Sequence, residues 1–99
     1  MYFITCFSRY EPNTRIGVPD IGSARTVGYC HNKKDAIDTV LENCGDIYEA
    51  TYTYAVVERI ESGLYNLATD RWFFKWNTET NQYEAIEPFI DNSGNYAFG

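Results

Sequence analysis

Only one stretch of this chain repeats its apolar residues at a helical period, and strand-like patterns flank it on both sides. From Asn32 onward, Ala36, Ile37, Val40, Leu41 and Cys44 recur at steps of one, three or four, which makes one sticky face. Asn32 can cap the helix. Asp35, at the third helical position, can return a bond and meet the positive end of the dipole. Asp38 and Glu42 hold the wet face, and Gly45 stands where a left-handed residue ends a helix. The spacing predicts a helix over 33–44. A lone amphipathic helix has no second helix to pack on, so its apolar face must lie on a sheet.

The flanking patterns supply that sheet. Residues 2–10 are β-branched and aromatic and read as a strand. Residues 11–22 hold Pro12, Asn13, Gly17, Pro19, Asp20 and Gly22, so they read as a loop, near the length at which loops carry function. Residues 23–30 form a second strand with a bulge expected at Gly28. Beyond the helix, 52–60 alternates Tyr52, Tyr54, Val56 and Ile60 against Thr53, Ala55 and Arg59, the pattern of a half-buried strand. Residues 71–77 and 82–86 flank the turn Thr78-Glu79-Thr80-Asn81 and read as a hairpin ended by Pro88. The order is β-β-α-β-β-β. It implies an α+β fold, with a single domain over 1–88 whose mainly antiparallel sheet carries one helix on one face. Residues 89–99 read as a loose, turn-rich tail, although Phe89, Ile90, Tyr96 and Phe98 could dock. A chain of 99 residues suits one such domain, burying about two-thirds of its unfolded surface.

Charge narrows the partners. Eight Lys and Arg stand against 14 Asp and Glu, a net charge of −6, and no basic run exceeds Lys33-Lys34. Direct nucleic-acid binding is not expected, because phosphate binding needs clustered cations. The same charge favours a basic partner; plain solubility is the bland alternative. No apolar run approaches the ~20 residues of a membrane span, and the start lacks the pattern of a signal peptide. Cys6, Cys30 and Cys44 are odd in number and widely spaced, so they read as small buried thiols in a reducing cytoplasm.

Little points to catalysis. The lone histidine, His31, directly follows Cys30, and neighbours on an extended chain point apart, which disfavours a dyad. His31 is expected at the helix entrance, exposed or capping. No metal-ligand spacing and no phosphate-cradling glycine pattern is present, so no enzyme, metal or cofactor is expected.

Aromatic residues are the informative excess, with 2 Trp, 9 Tyr and 6 Phe. Trp72, Phe74 and Trp76 share one face of their strand while Phe73 and Lys75 take the other. The plain expectation is that the first three fill the core beneath the helix. Rings on the other side then need the tail, a second copy or a ligand. Any of Tyr10, Tyr29, Tyr48, Tyr52, Tyr54 and Tyr65 left exposed would suit an interface, or stacking on a base.

The segments FITCFSRYEP, RTVGYC, GDIYEATYTYAVVERIESGLYN, RWFFKWN and YEAIEP together resemble a family of small acidic proteins encoded in phages, prophages and conjugative elements of gut Firmicutes. The likeness spans Phe3 to Pro88, and residues from Phe89 onward depart from it. It implies no fold and no catalytic residues. It implies a context in which accessory proteins counter host defences, by blocking a nuclease or sequestering a nucleotide signal.

The leading expectation is a non-enzymatic inhibitor acting in the host cytoplasm. It would bind a basic site on a host protein through Tyr48, Glu49, Tyr52, Tyr54, Glu58, Glu61, Asp70 and Glu84. The rival is a sponge for a nucleotide second messenger, formed at a homo-oligomer junction. There Arg15, Arg25 and Arg71 would meet phosphate, Tyr10, Trp72 and Trp76 would stack on the base, and loop 11–22 would act as a lid. The third is a small structural or regulatory protein with no ligand.

Overall fold

The β-branched and aromatic start of the chain becomes strand β1 (Tyr2–Phe7), which has a neighbour on each side. One is β4 (Arg25–Cys30) and the other β5 (Tyr54–Arg59), both antiparallel to it. Next to β5 lies β6 (Asp70–Asn77), then β7 (Gln82–Ile86), again antiparallel, so the sheet order is β4-β1-β5-β6-β7. One helix, α1 (Lys33–Leu41), links β4 to β5 and packs against β1, β4, β5 and β7. The fold is α+β, as the order of patterns predicts. The computed structural model describes residues 1–11, 20–22, 24–44, 47–48, 52–61, 68 and 70–87, with backbone alone at 10–11 and 20–22. The 89–99 tail lies outside the described residues.

Two sequence boundaries need correction at the start of the chain. The strand expected over 2–10 breaks at Ser8, and its end becomes β2 (Arg9–Glu11), paired antiparallel with β3 (Asp20–Gly22). The ends of the expected 11–22 loop are thus ladder rather than loop. The described pairing runs from Arg9↔Gly22 to Glu11↔Asp20. The bulge predicted by Gly28 is present. Ile4 pairs with Gly28 and Thr5 with Thr26, leaving Val27 as the extra residue.

The helix is capped as its sequence requires. Asn32 Oδ1 accepts the Asp35 N–H at 2.8 Å, and Asn32 Nδ2 donates to the Asp35 carboxylate at 2.9 Å. Its end comes earlier than the apolar spacing predicts, at Leu41 rather than Cys44. Asn43 takes the left-handed conformation at φ 48°, which asparagine tolerates, and its Oδ1 accepts the Tyr48 N–H at 2.9 Å. Leu41 and Cys44 are therefore exposed, against the expected stripe. The thiols differ accordingly: Cys6 is buried, Cys30 half-buried and Cys44 exposed.

Strand alternation divides the sheet into two interiors. Ile4, Cys6, Ala55, Val57, Phe74 and Tyr83 meet Ala36 and Val40 of the helix, with Trp72 and Trp76 packed at the margins. The trio Trp72, Phe74 and Trp76 therefore lies on the helix side. Tyr83 is buried with its hydroxyl donating to the Tyr52 carbonyl at 2.8 Å, and burial pushes its pKa well up. Phe7, Val56 and Phe73 form a second cluster on the opposite face, flanked by Tyr54 and Ile86. Strand β5 is buried on both faces, where its alternation predicts one. The reason is its place as the middle strand of five.

Candidate functional site

The turn after β6 is organised by one asparagine. The Asn77 carbonyl accepts the Asn81 N–H at 2.8 Å, its Oδ1 accepts the Glu79 N–H at 2.8 Å, and its Nδ2 donates to Glu84 at 3.0 Å. Asn81 supplies the left-handed residue the reversal needs, at φ 55°. Thr80 Oγ1 adds a second bond to Glu84 at 3.3 Å. The carboxylate is thereby held at the middle of β7, on the sheet face away from the helix.

Register then builds a cross-strand row on that face. Phe7 pairs with Tyr54, Tyr54 with Lys75, and Lys75 with Glu84. The Tyr54 ring stacks on Phe7 at 5.3 Å and 14°, and Lys75 Nζ lies 5.8 Å from the Tyr54 ring centroid. Beside this row opens a groove of about 580 Å³, whose lining includes Thr53, Lys75, Asn77, Glu79, Glu84 and Ile86. Glu79 and Glu84 are exposed, and neither forms an ion pair among the described residues. A groove with two exposed carboxylates that form no ion pair among the described residues can take a basic side chain.

Of the eight residues expected to form one acidic, tyrosine-rich surface, the structure brings Tyr54 and Glu84 together here. Tyr48 and Tyr52 stand at the same end of the sheet but on the helix side. There Tyr48 stacks on Trp76 at 4.0 Å and 3°, Tyr83 meets both rings edge-on, and Tyr52 packs against the helix-side core. Glu61 and Asp70 are at the far end, where both contact Arg59, at 3.3 and 3.8 Å. Glu49 lies outside the described residues.

Glu58 overturns its expected role. It is fully buried, and its Oε2 accepts from Arg71 Nε at 2.9 Å. Placed on the middle strand and directly across the ladder from Arg71, it is neutralised inside the protein rather than offered to a partner. The same contact takes Arg71 out of the proposed phosphate set.

The rest of the nucleotide constellation is scattered. Arg71 and Trp72 are consecutive on β6, so the arginine points to one face and the indole to the other. Trp72 lies between Tyr2, at 6.0 Å, and Lys33 Nζ, at 4.8 Å, while one face of Trp76 is covered by Tyr48. Arg25 is exposed on the edge strand β4. Arg15 and most of the expected lid lie outside the described residues, and Tyr10 is placed on β2 by its backbone alone. His31 is exposed beside the cap residue, with Tyr29 edge-on at 6.1 Å. Tyr29 is itself 58% exposed, the aromatic most open to solvent among the described residues. Among the described residues no three His, Cys, Asp or Glu side chains gather where a metal ion could sit.

Sequence reasoning missed Lys75, Asn77 and Glu79 as site residues. Asn77 had a readable signal, an asparagine opening a turn between two strands. Lys75 and Glu79 had none, since a charge next to a hairpin is commonplace. No helix among the described residues is long and apolar enough to cross a membrane. Comparison with protein-family models, curated proteins and solved structures returns no match.

Proposed function

We propose that this chain is a non-enzymatic interaction protein of a phage or mobile element, which inhibits a host defence component in the host cytoplasm. It does so by taking a basic segment of that component into the groove beside the β6–β7 turn. The observation that carries the binding part is the pair of exposed carboxylates Glu79 and Glu84. Both lack an ion pair among the described residues, and they rim a groove that Ile86 lines and Tyr54 adjoins. The net charge of −6 supports it by steering a cationic partner inward. The host-defence part rests on the sequence resemblance over Phe3–Pro88.

The nucleotide-sponge alternative has less support, because Arg71 is engaged by Glu58 and faces away from both tryptophans. A thermal-shift screen with cyclic and linear nucleotides tests it: stabilisation at high ligand concentration would reinstate it. The main test immobilises the chain and captures proteins from host lysate at low and at high salt. A basic protein should be retained at low salt, released as salt rises, and lost from the double variant E79Q/E84Q. Retention indifferent both to salt and to that variant would overturn the reading.

A further inference from the structure

The sheet has two edges, and they are built differently. At the β4 edge, Val27 is an extra residue that bulges the ladder, and the strand carries an exposed cation, Arg25. Bulges and cations are common ways to discourage strand addition. The β7 edge has neither. Its residues pair one-to-one with β6 from Phe73↔Ile86 to Asn77↔Gln82, without a register shift. Among the described residues no backbone bond to the outer edge of β7 is formed, and the side-chain bonds of Tyr83 and Glu84 run to Tyr52, Asn77 and Thr80 instead. Gln82, Glu84, Ala85 and Glu87 are all exposed.

We infer that the β7 edge is a strand-addition site for an extended basic segment of a protein partner. This rests on the groove reading above and supplies the partner's conformation. An open antiparallel edge presents alternate N–H and C=O groups that an incoming strand can pair with, and side-chain positions then set specificity. On the face away from the helix, the added strand meets Gln82, Glu84 and Ile86, and the exposed Glu87 follows the end of the strand. The residue of the segment that comes to lie beside Glu84 is therefore lysine or arginine. On the helix side it meets Ala85, whose small exposed side chain leaves room for Thr or Val. A second copy of this chain is the wrong occupant. Antiparallel β7–β7 pairing brings the Glu84 and Glu87 carboxylates of both copies together, and like charges across a ladder repel.

The test titrates the isotope-labelled full chain with a short peptide alternating lysine and threonine, with amide shifts and hydrogen exchange as readouts. Saturable shifts should centre on residues 82–86, and exchange of the outward β7 amides should slow by about tenfold or more. The variant E84Q/E87Q should weaken binding by roughly five- to tenfold, as expected from two exposed charge contacts. A peptide N-methylated at the amides that face β7 should not bind, because it keeps the charge and loses the ladder. Binding unaffected by N-methylation, or equal binding of a glutamate-for-lysine peptide, overturns strand addition. Concentration-dependent protection of β7 without peptide also overturns it, in favour of a second copy. Salt-sensitive capture that depends on Glu79 and Glu84, with no protection of β7, leaves the groove reading standing and removes this one alone.

Discussion

Phe73 and Phe74 are neighbours on β6, equally buried at 4% and 3% exposure, yet they belong to two different interiors. Phe74 sits under the helix in a cluster whose polar member, Tyr83, is satisfied by one backbone carbonyl. Phe73 sits on the opposite face, where Phe7 and Val56 share burial with Thr5 and the Glu58–Arg71 ion pair. The first interior is held by apolar contact. The second mixes apolar packing with charge, so its stability depends on pairing as well as on burial.

The largest effects test whether both interiors are true cores. Phe74→Ala and Phe73→Ala should each cost about 3–5 kcal/mol of unfolding free energy, read by urea denaturation. A loss below about 1 kcal/mol at Phe73 would break the comparison, leaving the second face as mere surface. Next, Arg71→Ala should cost about 3 kcal/mol, the low end for stranding a buried charge, since Arg71 keeps 26% of its side chain in water. The double variant Glu58→Leu/Arg71→Met should recover most of that loss, because it removes the stranded carboxylate too. Failure to recover would mean the carboxylate does more than balance the guanidinium.

A smaller effect belongs to the helix side. Tyr83→Phe should cost about 1 kcal/mol near neutral pH by removing the bond to the Tyr52 carbonyl. Burial raises the Tyr83 pKa in the folded state above its ordinary value of 10.0. Its neutral form is therefore needed for folding, and the stability it contributes is present below about pH 10 and is lost as pH climbs above that value. The gap between wild type and Tyr83→Phe should narrow in that alkaline range, as measured by denaturation at fixed pH. A gap that widens there would contradict the burial. The smallest effect is Thr5→Val, which removes the 3.2 Å hydroxyl contact with Thr26 and should shift stability by no more than about 1 kcal/mol.

Much of the architecture was legible in local pattern. The capping pair Asn32 and Asp35, the strands on either side of the helix, the hairpin around 78–81 and the bulge beside Gly28 all follow from near neighbours. The errors are local in kind as well. The Cys44 stripe continued on paper because apolar spacing does not reveal that Asn43 turns the chain, and β3 went unread because its three residues include a glycine. The site was far less legible. Glu58 and Glu84 are both strand glutamates in polar-looking positions, yet one is buried against Arg71 and the other is exposed at a groove.

What the sequence by itself determined is the order of the sheet strands around one capped helix. Each of these depends on residues within a few positions of one another, where propensity and periodicity act directly. Only the tertiary structure decided that β5 lies in the middle and β7 at the rim, and hence which carboxylate is paired inside and which is exposed. Burial is a property of the strand alongside, and residues such as Phe3, Glu58 and Arg71 become neighbours only when distant segments pair.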